Sequence, residues 1–265
     1  MTLIQRLEIY LNRVYLAKVA RDPAALGFFL SVSADAEANG EGQVFARTQA
    51  WLEGRGHTQI SKLVATHQAD EVRHERMMLD DLARLGRTPD AVPDELKVIE
   101  HLARRSGDIF DRPLETPTDV ARAYLLLYAV ERRAMERFGL MIDALEPVHP
   151  EIAKTFAAVA KDERTHLHYC VAVSRAALPD DAEWTALRDE MIALEVDEFT
   201  ANSRRFMWHM LDRVFETMSL PEKLFWKTSR SLADLVGRKM DVLPVGGADE
   251  LPSGRVSPRN VLAST

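Results

Sequence analysis

Apolar residues recur at three- and four-residue steps along most of this chain, which is the periodicity of an amphipathic α-helix. No run combines sustained two-residue alternation with enrichment in β-branched residues, as a half-buried strand would. The sequence therefore predicts an all-α protein whose helices are separated by prolines and glycines. Six substantial helices and a shorter seventh are predicted, over 3–20, 24–53, 58–85, 118–145, 151–177, 180–218 and 221–238.

The predicted connections favour a four-helix bundle. A Gly-rich turn over 54–56 and a Pro-rich turn over 146–150 are both short, so each should join two antiparallel helices. Between Gly86 and Pro117 the chain spends about thirty residues, enough to cross the length of a bundle. We expect a bundle with this one long crossover, which carries a short helix from Asp94 to Arg105, plus an extra N-terminal helix and two C-terminal helices.

The length of 265 residues is sufficient for one large core. We expect a single helical domain over 1–240, with the bundle core at 24–177 and a helical extension at 180–238. Residues 241–265 are rich in proline and glycine and have no periodic apolar stripe, so this segment is predicted to be an extended or disordered tail.

Composition excludes several classes of protein. The formal net charge of -7 leaves no overall basic surface, so general nucleic-acid binding is not expected. The single cysteine, Cys170, rules out an intramolecular disulfide and a four-cysteine iron or zinc site. No stretch approaches the roughly 18 uncharged apolar residues of a membrane span. We therefore expect a cytoplasmic protein that is not inserted in a membrane.

Two copies of one motif carry the predicted chemistry. The segments 70–74 and 162–166 both read D-E-x-x-H, and each lies on a predicted helix of a different hairpin. Residues three apart on a helix share a face, so Glu71 and His74, and likewise Glu163 and His166, can reach one metal ion together. Both pairs fall on otherwise apolar helical stripes. Burying such groups costs several kcal/mol per ion unless they are compensated, and a divalent cation compensates carboxylates.

The two remaining bundle helices should each add a lone glutamate at the same height. Glu131 lies in the middle of the apolar stripe of helix 118–145. Helix 24–53 offers Glu37 and Glu41, one turn apart. Glu37 shares its line with Leu30 and other apolar residues at seven-residue steps, which favours it, and Glu41 remains the alternative.

The order lone Glu, Glu-x-x-His, lone Glu, Glu-x-x-His resembles the ferritin-like di-iron carboxylate superfamily over residues 24–177. The resemblance implies a ferritin-like domain. It also implies that Glu71 and Glu163 bridge or chelate two metal ions, that His74 and His166 bind one each, and that the remaining two glutamates are terminal ligands.

The aspartate of each motif extends the resemblance. With Arg73, the first motif reads D-E-x-R-H and is similar to hydroxylase subunits of bacterial multicomponent monooxygenases and to acyl-carrier-protein desaturases. In some of these families the aspartate hydrogen-bonds a histidine of the facing helix, which implies Asp70 for His166 and Asp162 for His74.

His67 departs from those families, since it lies four residues before Glu71 on the same face. The arrangement His-x3-Glu-x2-His resembles the extra-histidine motif of arylamine N-oxygenases, where it lies in the second motif helix instead. A third nitrogen ligand and an ordinary core histidine are both compatible with the sequence.

The resemblance implies an oxidoreductase in which two iron ions, or manganese or a mixed pair, reduce dioxygen and oxidise or hydroxylate a small organic substrate. Apolar neighbours of the motifs favour an apolar substrate. A reductase or ferredoxin as electron donor and a homodimer are further expectations. The alternatives are a ferroxidase or iron-handling protein and a tRNA-modifying hydroxylase of the same fold.

Other candidate residues have simpler interpretations. Tyr124, Tyr169 and Cys170 are predicted to pack in the core, although such a tyrosine could be oxidised near iron. Glu195 and Glu198 on helix 180–218 are expected to be solvated charges.

Overall fold

A computed structural model describes residues 1–39, 43–210, 218–236 and 239–243. These residues form nine α-helices and contain no strand, which confirms the all-α prediction. The helices are α1 (Leu3–Arg21), α2 (Pro23–Asn39), α3 (Val44–Glu53), α4 (Thr58–Arg84), α5 (Val98–Arg105), α6 (Pro117–Leu145), α7 (Pro150–Ala177), α8 (Asp181–His209) and α9 (Leu220–Val236).

The bundle consists of two hairpins, as predicted. The first pairs α2 and α3 with α4, and the second pairs α6 with α7, while α4 also packs against α7. The first turn is tight because Gly56 adopts a φ of +80°, which a residue with a side chain rarely tolerates. The second hairpin turns between Leu145 and Pro150, and α7 begins at that proline.

The long crossover between α4 and α6 contains a 3₁₀ turn, Asp94–Leu96, followed by α5. The short helix expected here is therefore present, but Lys97 divides it into two pieces. The crossover ends at Thr116, which caps the N-terminus of α6. The side chain of Thr116 accepts from the backbone N–H of Asp119, and the side chain of Asp119 accepts from the backbone N–H of Thr116.

The helix predicted over 24–53 is instead two helices, α2 and α3. The sequence between them includes Gly40 and Gly42, and glycine disfavours a helix interior by about 1 kcal/mol relative to alanine. The alternative ligand Glu41 lies outside the described residues. The same is true of 211–217 in the helix predicted over 180–218, and of 244–265 in the predicted tail.

The added helices cover the second hairpin. Helix α1 packs on α6 and α2, and α8 packs on α6 and α5. Helix α9 reaches α1 through an edge-to-face contact between Trp226 and Tyr15, whose ring centroids lie 5.7 Å apart. The middle of α6 is consequently buried on nearly all sides.

The prediction that Glu195 and Glu198 are solvated is wrong. Glu195 is only 3% exposed, and both its carboxylate oxygens accept hydrogen bonds from Arg133 of α6, at 2.9 and 3.2 Å. Glu198 is 4% exposed and accepts from Arg105 of α5 and from Arg205. Both carboxylates can be buried because a guanidinium compensates each one.

Candidate metal centre

Four helices bring carboxylates and imidazoles together at mid-height in the bundle. Helix α4 contributes three of these side chains on one face, because i, i+4 and i+7 positions line up along a helix. The residues are Glu37 from α2, His67, Glu71 and His74 from α4, Glu131 from α6, and Glu163 and His166 from α7. All except the half-buried Glu37 are buried.

One group of donors comprises His67, Glu71, Glu131 and His166, and one donor atom from each of them lies within 4.8 Å of the other three. Nε2 of His67 lies 2.7 Å from Oε1 of Glu71 and 3.3 Å from Oε1 of Glu131. Nδ1 of His166 lies 3.5 Å from that same oxygen of Glu71. We call this group donor set A.

A second group, donor set B, comprises Glu37, Glu71, His74 and Glu163, again with one donor atom from each within 4.8 Å of the other three. Nδ1 of His74 lies 3.3 Å from Oε2 of Glu37 and 3.4 Å from Oε1 of Glu163. Both sets combine imidazole nitrogen with carboxylate oxygen, a donor combination that binds transition metals.

The two sets are connected by two glutamates. Glu71 belongs to both of them. Glu163 belongs to set B, yet its Oε2 lies 2.7 Å from Nδ1 of His166 in set A, while its Oε1 faces His74. The two sets are therefore adjacent, and these two carboxylates lie between them.

Each motif histidine faces carboxylates at both ring nitrogens. Nε2 of His166 lies 3.2 Å from Asp70, and Nε2 of His74 lies 3.4 Å from Asp162, so each aspartate faces the histidine of the opposite motif. If Nε2 donates its proton to the aspartate, Nδ1 presents a lone pair to the glutamates. Two facing lone pairs repel, so a proton or a metal ion is required between them.

Burial and neighbouring charged groups also shift the pKa values of the site. Burial acts to raise the pKa of Glu131, but the hydrogen bond and charge of His67 and the charge of His166 outweigh it and lower the pKa to about 2. Burial together with the charge of His166 lowers the pKa of His67 to about 4. The lowered pKa favours the neutral form of His67, which is the form that binds metals.

His74 has the opposite shift. Burial acts to lower its pKa, but the hydrogen bonds and charges of Glu37 and Asp162 prevail and raise it. The site thus favours a positive charge at His74, either as a proton on its ring or as a metal ion bound to it.

A cavity of about 490 Å³ adjoins the carboxylate side of the site. Four of the site's glutamates, Glu37, Glu71, Glu131 and Glu163, are among its lining residues, whereas none of the three histidines is. Aromatic and aliphatic side chains from α1, α2, α5, α6 and α8 form most of the remaining wall. This volume is typical of pockets that hold small-molecule ligands.

The structure brings together all six residues predicted as ligands, and both aspartates lie where the resemblance implied. It also places His67 in set A, whereas the sequence did not decide between a ligand and a core histidine. The sequence feature that pointed to this position is the spacing of four residues between His67 and Glu71. Tyr124, Tyr169 and Cys170 are buried in the core, and the ring of Tyr169 lies 5.0 Å from that of His67. Cys170 is in neither donor set.

Among the described residues, no helix has the length and apolarity needed to cross a bilayer. Comparison of the chain with protein-family models, with curated proteins and with solved structures found no match.

Proposed function

We propose that this protein is a di-metal carboxylate oxidoreductase of the ferritin-like superfamily. The observation that carries the proposal is the adjacency of two buried Glu/His donor sets that share Glu71 and contact each other through Glu163. Iron is the proposed metal, with manganese or a mixed pair as the alternative, because both sets are rich in carboxylates and soft ligands are absent from them.

The chain's own residues have distinct roles in this proposal. Glu71 and Glu163 hold the two ions side by side, and Glu37 and Glu131 complete the two sets as terminal ligands. His74 serves set B, whereas His166 and His67 both serve set A, which makes the two metal positions chemically unequal.

The aspartates and the cavity complete the arrangement. Asp70 and Asp162 accept the outer N–H of His166 and His74, so each ring presents its other nitrogen to the metal in a fixed orientation. Two ferrous ions bound here would supply the electrons that reduce dioxygen and thereby oxidise an organic molecule. The largely apolar cavity holds that molecule against the carboxylate side of the site.

The cavity favours an organic substrate over simple iron handling, since a ferroxidase needs no apolar cavity of this size. A tRNA-modifying role is disfavoured by the net charge of -7, because tRNA binding depends on a basic surface.

The test begins with the metal-free protein under anaerobic conditions. Ferrous iron should bind at two equivalents per chain, and a stopped-flow dioxygen pulse should then oxidise it within a single turnover. Glu163→Gln should lose most of this iron. Glu151→Gln is the matched control, because Glu151 is on the same helix but lies on the surface, where it pairs with Lys154.

Two results would contradict the proposal. One is iron binding to the unmodified protein that is no greater than to Glu163→Gln while both remain folded by circular dichroism. The other is catalytic oxidation of repeated iron additions with release of ferric iron, which would indicate ferroxidase activity instead.

A further inference from the structure

Among the described residues, one guanidinium on the cavity wall has no carboxylate within ion-pair distance. Arg137 of α6 lines the cavity and donates a hydrogen bond to Oδ1 of Asn12 at 2.9 Å. Its guanidinium also lies 5.8 Å from the ring of Phe199. Within the described part of the chain it forms no ion pair, since no carboxylate oxygen lies within 4 Å of it.

The neighbouring arginine shows how this protein compensates a buried cation. Arg133, one turn earlier on α6, pairs with Glu195 and Glu136 and also donates to the carbonyl of Met240. Burial lowers the pKa of Arg137 and outweighs the opposing charge of Glu136, which reflects the cost of holding this cation among apolar groups. Among the described residues its hydrogen-bond acceptor is the neutral Asn12. A bound anion would offset the free-energy cost of burying this guanidinium.

Other charged groups on the wall do not remove this imbalance. Glu8 and Arg204 also line the cavity, and each has an interaction of its own. The charge of Glu136 acts on Arg137, but Glu136 and Glu195 are both paired with Arg133. The metal-site glutamates are further acidic groups on the cavity wall.

Between Arg137 and the metal site the wall is apolar. Glu131, Ala134 and Arg137 follow one another at three-residue steps on the cavity face of α6, so Arg137 lies about 9 Å beyond Glu131 along the helix axis. The small side chain of Ala134 leaves open space between the two charges. Phe29 and Phe206 cover the same space from α2 and α8.

The outer part of the cavity is apolar as well. Ile4 and Leu7 of α1 line it and are 56% and 54% exposed, so apolar side chains mark the place where the cavity meets solvent. A hydrocarbon can pass such an opening without losing contact with apolar surface.

We propose that the cavity binds a long-chain carboxylate, with the head group paired to Arg137 and the hydrocarbon chain running past Ala134 to the glutamates of the metal site. Arginine suits this head group because its planar guanidinium can pair with both carboxylate oxygens. The identification of this ligand as the substrate rests on the proposed function. In this arrangement an interior carbon of the chain, and not the carboxylate, lies beside Glu131.

The test measures binding to metal-free protein by isothermal titration calorimetry, so that no metal can capture the carboxylate. The probes are dodecanoate and dodecanol, which share a chain length and differ in head-group charge. Dodecanoate should bind more tightly than dodecanol to the unmodified protein, by about tenfold or more. Arg137→Gln should abolish that difference and leave dodecanol binding unchanged.

Arg132→Gln is the matched control, because Arg132 is on the same helix, pairs with Asp241 and is not part of the cavity wall. It should bind dodecanoate as the unmodified protein does. Arg137→Lys keeps the charge and should retain part of the preference.

Equal binding of the two probes by the unmodified protein would overturn the proposal, and this comparison does not depend on any variant being folded. A preference for dodecanoate that persists in Arg137→Gln would overturn the assigned anchor. Because the titrations use metal-free protein, the carboxylate-binding result does not depend on whether the protein binds iron. The iron-binding test likewise does not depend on carboxylate binding, so the two proposals can fail separately.

Discussion

Nη2 of Arg73 lies 2.7 Å from Oδ2 of Asp162, across the contact between α4 and α7. The same nitrogen lies 2.8 Å from Oδ1 of Asp70 on its own helix. One guanidinium thus holds both of the aspartates that face the motif histidines. The second motif has Thr165 at the equivalent position, so a single arginine serves both halves of the site.

Replacing Arg73 with glutamine should weaken metal binding without removing a ligand. Both aspartates would lose their cationic partner and would orient the imidazoles less strictly, which typically lowers metal affinity by roughly tenfold or more. Competition with a colorimetric chelator measures this affinity. Arg76→Gln is the control, since Arg76 is exposed on the same helix three residues later. Equal affinities in the two variants would contradict this role.

His67 should determine how many metal ions the protein retains. It belongs to set A alone, so His67→Ala should lose the ion at that set while set B, with His74, stays loaded. Elemental analysis should then fall from about two metal ions per chain to about one. Cobalt substitution gives an independent readout, because the visible spectrum reports the number of nitrogen ligands.

A core histidine without a metal would behave differently. In that case His67→Ala would leave the metal content and the cobalt spectrum unchanged and would affect only the thermal stability, through the cavity left beside Phe45 and Tyr169.

The predictable part of the site is the part fixed by helical spacing. Glu71, His74, Glu163 and His166 had to share faces once their helices formed, and Glu131 followed from its place in an apolar stripe. The role of His67 was not fixed in this way, because a core histidine and a ligand occupy the same helical position. Its distances to Glu71 and Glu131 place it in donor set A, and the metal content of His67→Ala distinguishes the two roles.

Features that depend on several helices at once were not accessible from the sequence. The burial of Glu195 depends on Arg133, which is 62 positions away and on another helix. The cavity likewise depends on how α1 and α8 lie against α6, and residue periodicity does not determine such placement.

The choice between Glu37 and Glu41 is also testable. Oε2 of Glu37 lies 3.3 Å from Nδ1 of His74, so Glu37→Ala should weaken metal binding at set B. Glu41→Ala should bind as the unmodified protein does. Isothermal titration with manganese separates the two variants. The opposite pattern, with Glu41→Ala losing the metal, would assign this ligand to Glu41.

The buried pair of Arg133 and Glu195 should contribute strongly to stability. Glu195→Ala removes one partner and leaves a guanidinium buried beside Phe199, with Glu136 as its remaining carboxylate. Removing one partner of a buried ion pair typically costs about 3 kcal/mol or more, because the other charge stays desolvated. Urea denaturation followed by circular dichroism measures the change in the free energy of unfolding.

Glu190 on the same helix provides the comparison. It pairs with Arg122 of α6, but its side chain is 55% exposed, so water screens the interaction. Glu190→Ala should therefore lower the free energy of unfolding by no more than about 1 kcal/mol. If both variants lost the same free energy of unfolding, burial would not make the Arg133 pair more stabilising than the exposed pair. The contact between α6 and α8 would then depend on its apolar residues. A loss confined to Glu195→Ala would show that burial makes the Arg133 pair the stronger of these two contacts between α6 and α8.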